Sequence, residues 1–452
     1  MNGVKRRAEP VRLGQLAAVL VVIALPGMVA AETETVFEPL PEPLTLDHAL
    51  APADAGHPYL LAAAADADVA RAARDRAAAA YGFNAGISAE ARWVEPAERA
   101  LDQTHNDSYA SLYLSKRLYD FGHTRAAVSA AEAQLAGREL QFADARLRHR
   151  LYILERYLDV LLADLQFRVQ DEAMAIAYVR LDRARDQHEL GQLSDVALLD
   201  LETRYQETRS GRIRTQARQR TSRVQLAEAL SRPGELSGTL AEPDLSVADG
   251  ELPELADLMA EVLQTNPQLQ ALRADTEAAR ERLHAARALD RPVISGRAQA
   301  TEYERQTSSA DPLAVGVLLE VPLYTGGRSA AERARARAEL QRSQAQAARI
   351  ELELRQELRS LWEEIQVLRA SREETRTRTD YRELYLDRSR ALYEMEVSTD
   401  LGDAMVVSTE ARLRQAELDY RLLLDWARLN ALRGRPLFAA ANGPAAEEDE
   451  RP

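Results

Sequence analysis

The side chains that most often carry catalysis or bind metals are few and scattered in this chain. Among 452 residues there are seven histidines and no cysteine. No two histidines have ligand spacing on one helix; they are His48, His57, His105, His123, His149, His188 and His284. The chain also lacks a Walker-type phosphate loop and a Gly-rich dinucleotide fingerprint. We therefore predict that the protein is not an enzyme and uses no metal and no cofactor.

Charge and composition narrow the classes of partner and fold. The formal net charge is −14, which disfavours nucleic acid as a partner. Only 5% of the residues are aromatic, and the abundance of Ala, Leu, Glu, Arg and Gln is typical of long helices. The absence of cysteine excludes disulfides and a lipidated N-terminal cysteine.

The first 31 residues resemble a secretory signal. A basic start containing Lys5 and Arg12 precedes the apolar segment 16–25, which is short for a membrane span. Small residues ending at Ala31 fit a cleavage site before Glu32. The alternative is a transmembrane anchor. No later apolar run reaches 18 residues, so any further membrane segment must consist of strands.

The rest of the chain contains the same order of motifs twice. The motif Leu118–His123 recurs as Leu323–Arg328, 205 residues later. In each half an opening helical segment, 44–81 or 252–290, precedes two strands and a long helical hairpin. A period of this size is too long for a solenoid repeat. It indicates a duplicated structural unit.

Each half contains two runs of about ten residues in which apolar and polar residues alternate, the length of a tilted membrane strand. The runs are Ile87–Trp93, Tyr109–Ser115, Ile294–Thr301 and Leu313–Val321. An ordinary soluble sheet with one wet face is the alternative. Four strands cannot close a barrel, and open edges are not tolerated in lipid. Closure would need a dimer with eight strands or a trimer with twelve, and only the larger barrel leaves an aqueous lumen.

The strongest pattern is in the helices. Outgoing arms at 124–188 and 328–394 contain no proline, and returning arms follow at 195–230 and 400–432. Apolar residues spaced four and three apart predict coiled-coil packing. The two stripes are Leu147, Leu151, Leu154, Leu158, Leu161 and Leu165, then Leu354, Leu358, Leu361, Ile365 and Leu368. The stripes lie about 207 residues apart and the motifs 205, which predicts small insertions between the halves. The returning arms are shorter than the outgoing arms, so another helix must pack beside the remaining length. The opening segments of the two halves are the expected candidates.

Together these features resemble the TolC-like outer-membrane channels of Gram-negative export systems. The resemblance covers 44–437 and rests on the duplicated order, on the motifs Leu118–Gly122 and Pro322–Gly327, and on the hairpin breaks near Gly191 and Glu396. It implies a mainly α fold with a small β part. In that fold a homotrimer forms a 12-stranded outer-membrane β-barrel that continues into a long periplasmic α-helical barrel.

The resemblance also implies a pore constriction after the second break. Asp400 and Asp403 fall where the TolC pattern has its two pore aspartates, and Tyr393 matches a gate position. Threefold symmetry would turn each aspartate into a cation-attracting ring. Glu396 stands where the family often has glycine, and Ser398 where TolC has its gate-linking arginine. The alternative is that both aspartates are ordinary helix-start acids stabilised by the helix dipole.

The implied function is a passive exit channel of a tripartite efflux or type I secretion system. Its expected partners are a periplasmic adaptor, an inner-membrane pump and outer-membrane lipid. The tip of the first hairpin, with Gly191, Ser194 and Asp195, is the candidate adaptor contact. The competing hypothesis is a periplasmic or surface coiled-coil structural protein. The expected segments are a signal peptide (1–31), an extended lead-in (32–43), a first repeat (44–237), a linker (238–251), a second repeat (252–438) and an acidic disordered tail (439–452).

Overall fold

The computed structural model describes residues 40–51, 56–100, 102–234, 238–305, 311–395 and 401–438. The signal peptide, most of the lead-in and the acidic tail lie outside these ranges. The helices are α1 (Leu46–Leu50), α2 (Pro58–Ala79), α3 (His123–Glu189), α4 (Asp195–Ala229), α5 (Leu255–Thr265), α6 (Pro267–Arg287), α7 (Arg328–Glu394) and α8 (Leu401–Leu432). The strands are β1 (Phe83–Glu90), β2 (Tyr109–Tyr119), β3 (Val293–Tyr303) and β4 (Leu313–Glu320).

The order α2-β1-β2-α3-α4 recurs as α6-β3-β4-α7-α8, so the duplication is structural. Both α3 and α7 have 67 residues, and each follows a glycine in the left-handed region, Gly122 or Gly327. The first residues of α3 and α7 are 205 positions apart, and so are their last residues. No insertion lies within α3 or α7, but Pro58 and Pro267, which open α2 and α6, are 209 residues apart. The predicted small insertions between the halves therefore occur outside these two helices. At an offset of 205 the fully buried Leu358 and Ile365 correspond to Ile153 and Val160, which are also fully buried.

The opening helices begin at prolines, as the sequence indicates. Pro58 and Pro267 occupy the first helical turn, where a missing N–H costs nothing. The Asn266 side chain accepts a hydrogen bond from the Leu269 amide at 3.0 Å and so caps α6. Near the strands the helical layer runs α2, α3, α6, α7, and near the hairpin breaks it runs α4, α3, α8, α7. This confirms that opening helices continue the layer where returning helices end.

The four strands form one antiparallel sheet in the order β1-β2-β3-β4. Its register aligns Ile87 with Leu112, Leu112 with Ala300, and Ala300 with Leu313. Because side chains alternate along every strand, this register collects most of the apolar residues of the four strands on one face. We call it the apolar face; it comprises Phe83, Ala85, Ile87, Ala89, Ala110, Leu112, Leu114, Ile294, Ala298, Ala300, Leu313, Val315, Val317 and Leu319.

The first strand lies further towards the N-terminus than its alternation predicted. It spans Phe83–Glu90, whereas the prediction placed it at 87–93. Trp93 instead makes an isolated bridge with Asn106, beside an ion pair between Arg92 and Asp107. The alternation of apolar and polar residues continues to Trp93, beyond the end of β1. Residues 91–93 belong to the connection between β1 and β2, where the bridge pairs Trp93 with Asn106.

The second leucine stripe is buried at all five positions, which confirms the coiled-coil packing of α7 against its neighbours. In the first stripe Leu154, Leu158 and Leu161 are buried, and the remaining three leucines are half-buried. Here α3 carries a second buried row that includes Ile153 and Tyr157. Within the described residues, no helix combines the length and the apolar character needed to cross a membrane.

The largest apolar cluster surrounds the middle of α3, where two chain segments cross it. Leu44 pairs with Leu240 in a parallel bridge, and both pack with α3, α4 and α8. The Tyr157 hydroxyl lies 2.8 Å from the Leu44 carbonyl oxygen and 2.5 Å from that of Ala241. Because this cluster combines residues of α3 and α4 with residues of α8, it joins the two repeats near the middle of α3.

Candidate functional site

The break of the first hairpin is a tight, internally bonded turn. Gly191 adopts φ +71°, a conformation that favours glycine, immediately after α3. The Ser194 hydroxyl accepts a hydrogen bond from the Ala197 amide at 3.3 Å and caps α4. Asp195 lies in the first turn of α4, with its carboxylate 3.3 Å from the His188 Nε2. The structure therefore brings Gly191, Ser194 and Asp195 together at one end of the helical layer.

Large apolar side chains remain exposed beside this turn. Leu190, Val196 and Leu199 are each more than half exposed. Single exposed leucines are common, but three around one turn form a small apolar patch. An adaptor contact at this tip is compatible with the patch and stays a prediction.

The break of the second hairpin is described on both sides but not at its centre. Tyr393 is half-exposed in the last turn of α7, and Asp403 lies in the first turn of α8. Glu396 and Asp400, the other two predicted gate residues, lie outside the described residues, as does Ser398. Of the predicted aspartate pair, only Asp403 therefore has a described position.

Asp403 binds the other hairpin. Its Oδ1 lies 2.6 Å from the Nη2 of Arg180, which projects from α3. Both side chains are substantially exposed, so solvent screens the pair, and exposed pairs contribute about 0–1 kcal/mol. We call Arg180 and Asp403 the tip ion pair. It joins the start of α8 to the first hairpin. Breaking this contact costs little free energy.

The backbone of α8 also lies close to a side chain of α3 beside the tip ion pair. A Cβ added at Gly402 would lie 3.0 Å from the Ile176 Cγ2, tighter than ordinary van der Waals contact. Further along, the Thr409 hydroxyl donates to the Glu172 carboxylate at 2.7 Å. These contacts place α8 against α3 over about two turns next to the tip.

Packing inside the second hairpin changes along its length. Near the middle α7 buries large residues such as Leu358, Ile365 and Leu368. Towards the tip its buried residues are Thr375, Thr379 and Ser389. Because burial of apolar area drives helix association, the tip half of this hairpin is the weaker one.

A cavity of about 350 Å³ lies beside the tip ion pair, between α3, α4 and α8. Ile176, Leu201 and Val406 contribute apolar wall, and Arg180 and Asp403 form part of its polar wall. Sequence reasoning identified Asp403 but missed Arg180. No spacing pattern could have identified it, because α3 and α8 are far apart in the chain and meet only through tertiary register. Among the described residues, no group of three or more His, Asp or Glu side chains is placed to hold a metal ion.

Comparison with known proteins gives the family of the second repeat. Residues 258–435 match the family model described as outer membrane efflux protein. The second repeat is an outer membrane efflux protein domain. That range contains β3, β4, both arms of the second hairpin and the tip ion pair's Asp403. A comparison with curated proteins gives no match.

Solved structures extend this likeness to both repeats. The outer membrane protein VceC from Vibrio cholerae superposes with a TM-score of 0.69 at 20% identity, covering 87% of this chain and 96% of VceC. The Campylobacter jejuni CmeC outer membrane channel gives 0.73 at 12% identity, covering 88% and 87%. The open state of the Neisseria gonorrhoeae MtrE outer membrane channel gives 0.63 at 16% identity, covering 87% and 89%. At these identities the likeness establishes the fold, and it confirms the TolC-like architecture predicted from the sequence.

Proposed function

We propose that this protein is an outer membrane efflux channel, the passive exit channel of a tripartite efflux or type I secretion system. Three copies would together contribute twelve strands to one closed barrel, and a periplasmic adaptor and an inner-membrane pump would open the tip. The signal peptide would direct the chain across the inner membrane. Without a cysteine to lipidate, the strands alone would hold it in the outer membrane.

The observation that carries this proposal is the reversed burial of the sheet. On the apolar face Ile87 is 80% exposed and Val315 77% exposed. On the opposite face the polar Ser111 and Thr301 are 2% and 5% exposed, and their hydroxyls lie 3.1 Å apart. A soluble sheet buries its apolar face and wets its polar one. The reverse arrangement suits lipid outside and water inside.

Closure of the sheet by other copies is supported by its edges. Neither β1 nor β4 has a second strand partner among the described residues. Both edges expose backbone donors and acceptors, which lipid does not tolerate. Pairing β4 of one copy with β1 of the next would satisfy these groups, and three copies would give the twelve strands expected from the resemblance.

The helical layer has unpartnered flanks in the same way. One flank is formed by α2 and α4 and the other by α7. Large apolar side chains are exposed on both flanks; they include Ile213 and Val224 on α4, and Val367 and Leu384 on α7. Contact between α4 of one copy and α7 of the next would cover them. A ring of three copies would thus close the helices and the strands together.

Opening would act on the second hairpin. Its tip half lacks large buried side chains, and an exposed ion pair joins it to the first hairpin. We infer that partners loosen the tip by separating α8 from α3, and that Asp403, together with Asp400, lines the constriction. Each aspartate would form a ring of three carboxylates that attracts cations.

Membrane fractionation tests the proposal against the competing hypothesis of a soluble coiled-coil protein. We expect the mature chain in the outer-membrane fraction, as a trimer that dissociates only when heated in detergent. Recovery as a soluble periplasmic protein would contradict the proposed channel and favour the structural role.

A further inference from the structure

The exposed surface of α4 carries an unusual excess of positive charge. Between residues 208 and 227 the helix has no acidic residue. The same stretch contains the six arginines Arg209, Arg212, Arg214, Arg218, Arg220 and Arg223. Such a run attracts a negatively charged partner over about one Debye length, roughly 8 Å at physiological salt.

Four of these arginines share one side of the helix. Arg209, Arg212, Gln216, Arg220 and Arg223 are spaced by three, four, four and three residues, which aligns them along α4. We call this row the basic strip. At 1.5 Å per residue it is about 21 Å long.

Only half of the charge in the basic strip is neutralised by the rest of the fold. Arg212 pairs with Asp171, and Arg223 binds Asp164 at 2.6 Å. Arg209 contacts only the Gln206 side-chain oxygen, at 3.4 Å, and among the described residues no carboxylate pairs with Arg220. Both Arg209 and Arg220 are exposed. Two guanidinium groups of the strip are therefore left without an anion.

The described part of the chain ends in the apolar cluster that α4 enters just after this strip. The Arg223 Nη2 lies 3.4 Å from the carbonyl oxygen of Gly238, and Leu240 follows it into the apolar cluster around Tyr157. Leu437 and Phe438 pack against the same cluster, which also contains Leu226 and Leu230 of α4. Phe438, the last described residue, thus belongs to the apolar cluster that the C-terminal end of α4 enters beyond Arg223.

The residues after Phe438 carry the opposite charge. Glu447, Glu448, Asp449 and Glu450 form an uninterrupted acidic run that starts nine residues after Phe438. An extended chain covers about 3.3–3.6 Å per residue, so nine residues reach about 30 Å. That length exceeds the whole basic strip. Because the tether is short, the local concentration of the acidic run at the strip is of millimolar order.

We propose that the acidic run 447–450 binds the basic strip of α4 within the same chain. The carboxylates would pair with Arg209 and Arg220, the two arginines that the fold leaves without an anion. The bound tail would cover this side of α4 and compete with any acidic protein surface that approaches it. The proposal concerns one chain and does not depend on the proposed channel function.

Disulfide cross-linking tests this contact directly, because the natural chain has no cysteine. Gln216→Cys places a thiol in the middle of the strip, and Ala446→Cys places one beside the acidic run. In the purified full-length protein we expect a cross-link within one chain. It should be lost at about 1 M salt, where the Debye length is about 3 Å. It should also be lost in Arg209→Gln with Arg220→Gln.

Matched controls separate the strip from the general positive charge of α4. Arg214→Gln with Arg218→Gln removes the same charge from another side of the helix and should leave the cross-link intact. Ala217→Cys, one residue along but facing away from the strip, should cross-link poorly. Equal yields at 216 and 217, a product of two linked chains, or no cross-link at low salt would each overturn the proposal.

Discussion

Arg180 and Asp403 join the two hairpins of this protein through a contact of 2.6 Å between Nη2 and Oδ1. Arg180 belongs to the first repeat and Asp403 to the second, so the pair crosses the boundary of the duplication. It lies where buried leucines have given way to threonine and serine in the second hairpin. Polar contacts therefore contribute to holding the tip.

Loss of the tip ion pair should favour the open channel. Asp403→Ala or Arg180→Ala removes up to about 1 kcal/mol per chain, because the pair is exposed to solvent. In planar lipid bilayers we expect longer and more frequent openings of single channels. The exchange of charges, Arg180→Asp with Asp403→Arg, should restore closure.

A control for this result is Arg185→Ala, which breaks an exposed pair with Glu202 inside the first hairpin. It should leave gating unchanged. Equal effects of Arg185→Ala and Arg180→Ala would mean that general weakening of the tip, rather than the link between hairpins, controls opening.

The proposed carboxylate rings predict a sensitivity to divalent cations. In Asp400→Ala with Asp403→Ala, block of the single-channel current by divalent cations should weaken, because both rings lose their charge. Glu394→Ala, which removes an acid from the end of α7, serves as the control. Unchanged block in the double variant would show that these aspartates only stabilise the start of α8.

Tyr157 should make stability depend on alkaline pH. Burial raises the pKa of Tyr157 to about 12, against about 10 for an exposed tyrosine. Its stabilising contribution is therefore complete below pH 10 and is lost as the pH rises from about 10 towards 12. Tyr157→Phe removes the hydrogen bonds to Leu44 and Ala241 and should cost about 1–3 kcal/mol at neutral pH.

Thermal unfolding as a function of pH checks this prediction. The melting temperature of Tyr157→Phe should be lower at pH 7 and fall less steeply between pH 10 and 12. Burial also raises the pKa of Tyr420 to about 12, so part of the slope should remain. If the melting temperatures of the variant and the wild type fell in parallel between pH 10 and 12, Tyr157 would be excluded as a source of the pH dependence.

A charge on the apolar face should block insertion into lipid. Val317→Arg places a guanidinium on the lipid side at a cost of about 2–4 kcal/mol if it lies near the bilayer midplane. The folding yield into lipid vesicles should fall sharply. Ala314→Arg, on the opposite face of the same strand, should insert almost as well as the wild type. Similar yields for the two variants would argue against lipid on the apolar face.

Sequence alone predicted the helices well because their signals are local. Proline-free heptad runs placed α3 and α7 within one residue at each end, and the breaks fell at the predicted positions. The offset of 207 was misleading because α3 has two apolar rows. At the offset of 205, the row of Ile153 and Val160 matches the buried row of α7. The row of Leu154 and Leu158 corresponds to the exposed Arg359 and Glu363, so this second row is buried in α3 alone.

The site was predicted only in part, because a contact between distant helices leaves no local signal in the sequence. Asp403 follows a helix break that the sequence displays. Arg180 lies inside a charged helix, and its role depends on the position of α8 against α3. The alternation in the sheet was visible, but register across four strands determines that most apolar residues reach one face.

The most direct test of the proposed membrane channel is solvent accessibility along β4. Single cysteines at Leu313, Ala314, Val315, Gly316 and Val317 can each carry a nitroxide label, since no native cysteine competes. In lipid vesicles, labels at 313, 315 and 317 should collide mainly with oxygen dissolved in the bilayer. Labels at 314 and 316 should collide mainly with a water-soluble nickel complex. High nickel accessibility at all five positions would contradict a membrane-spanning sheet and, with it, the channel.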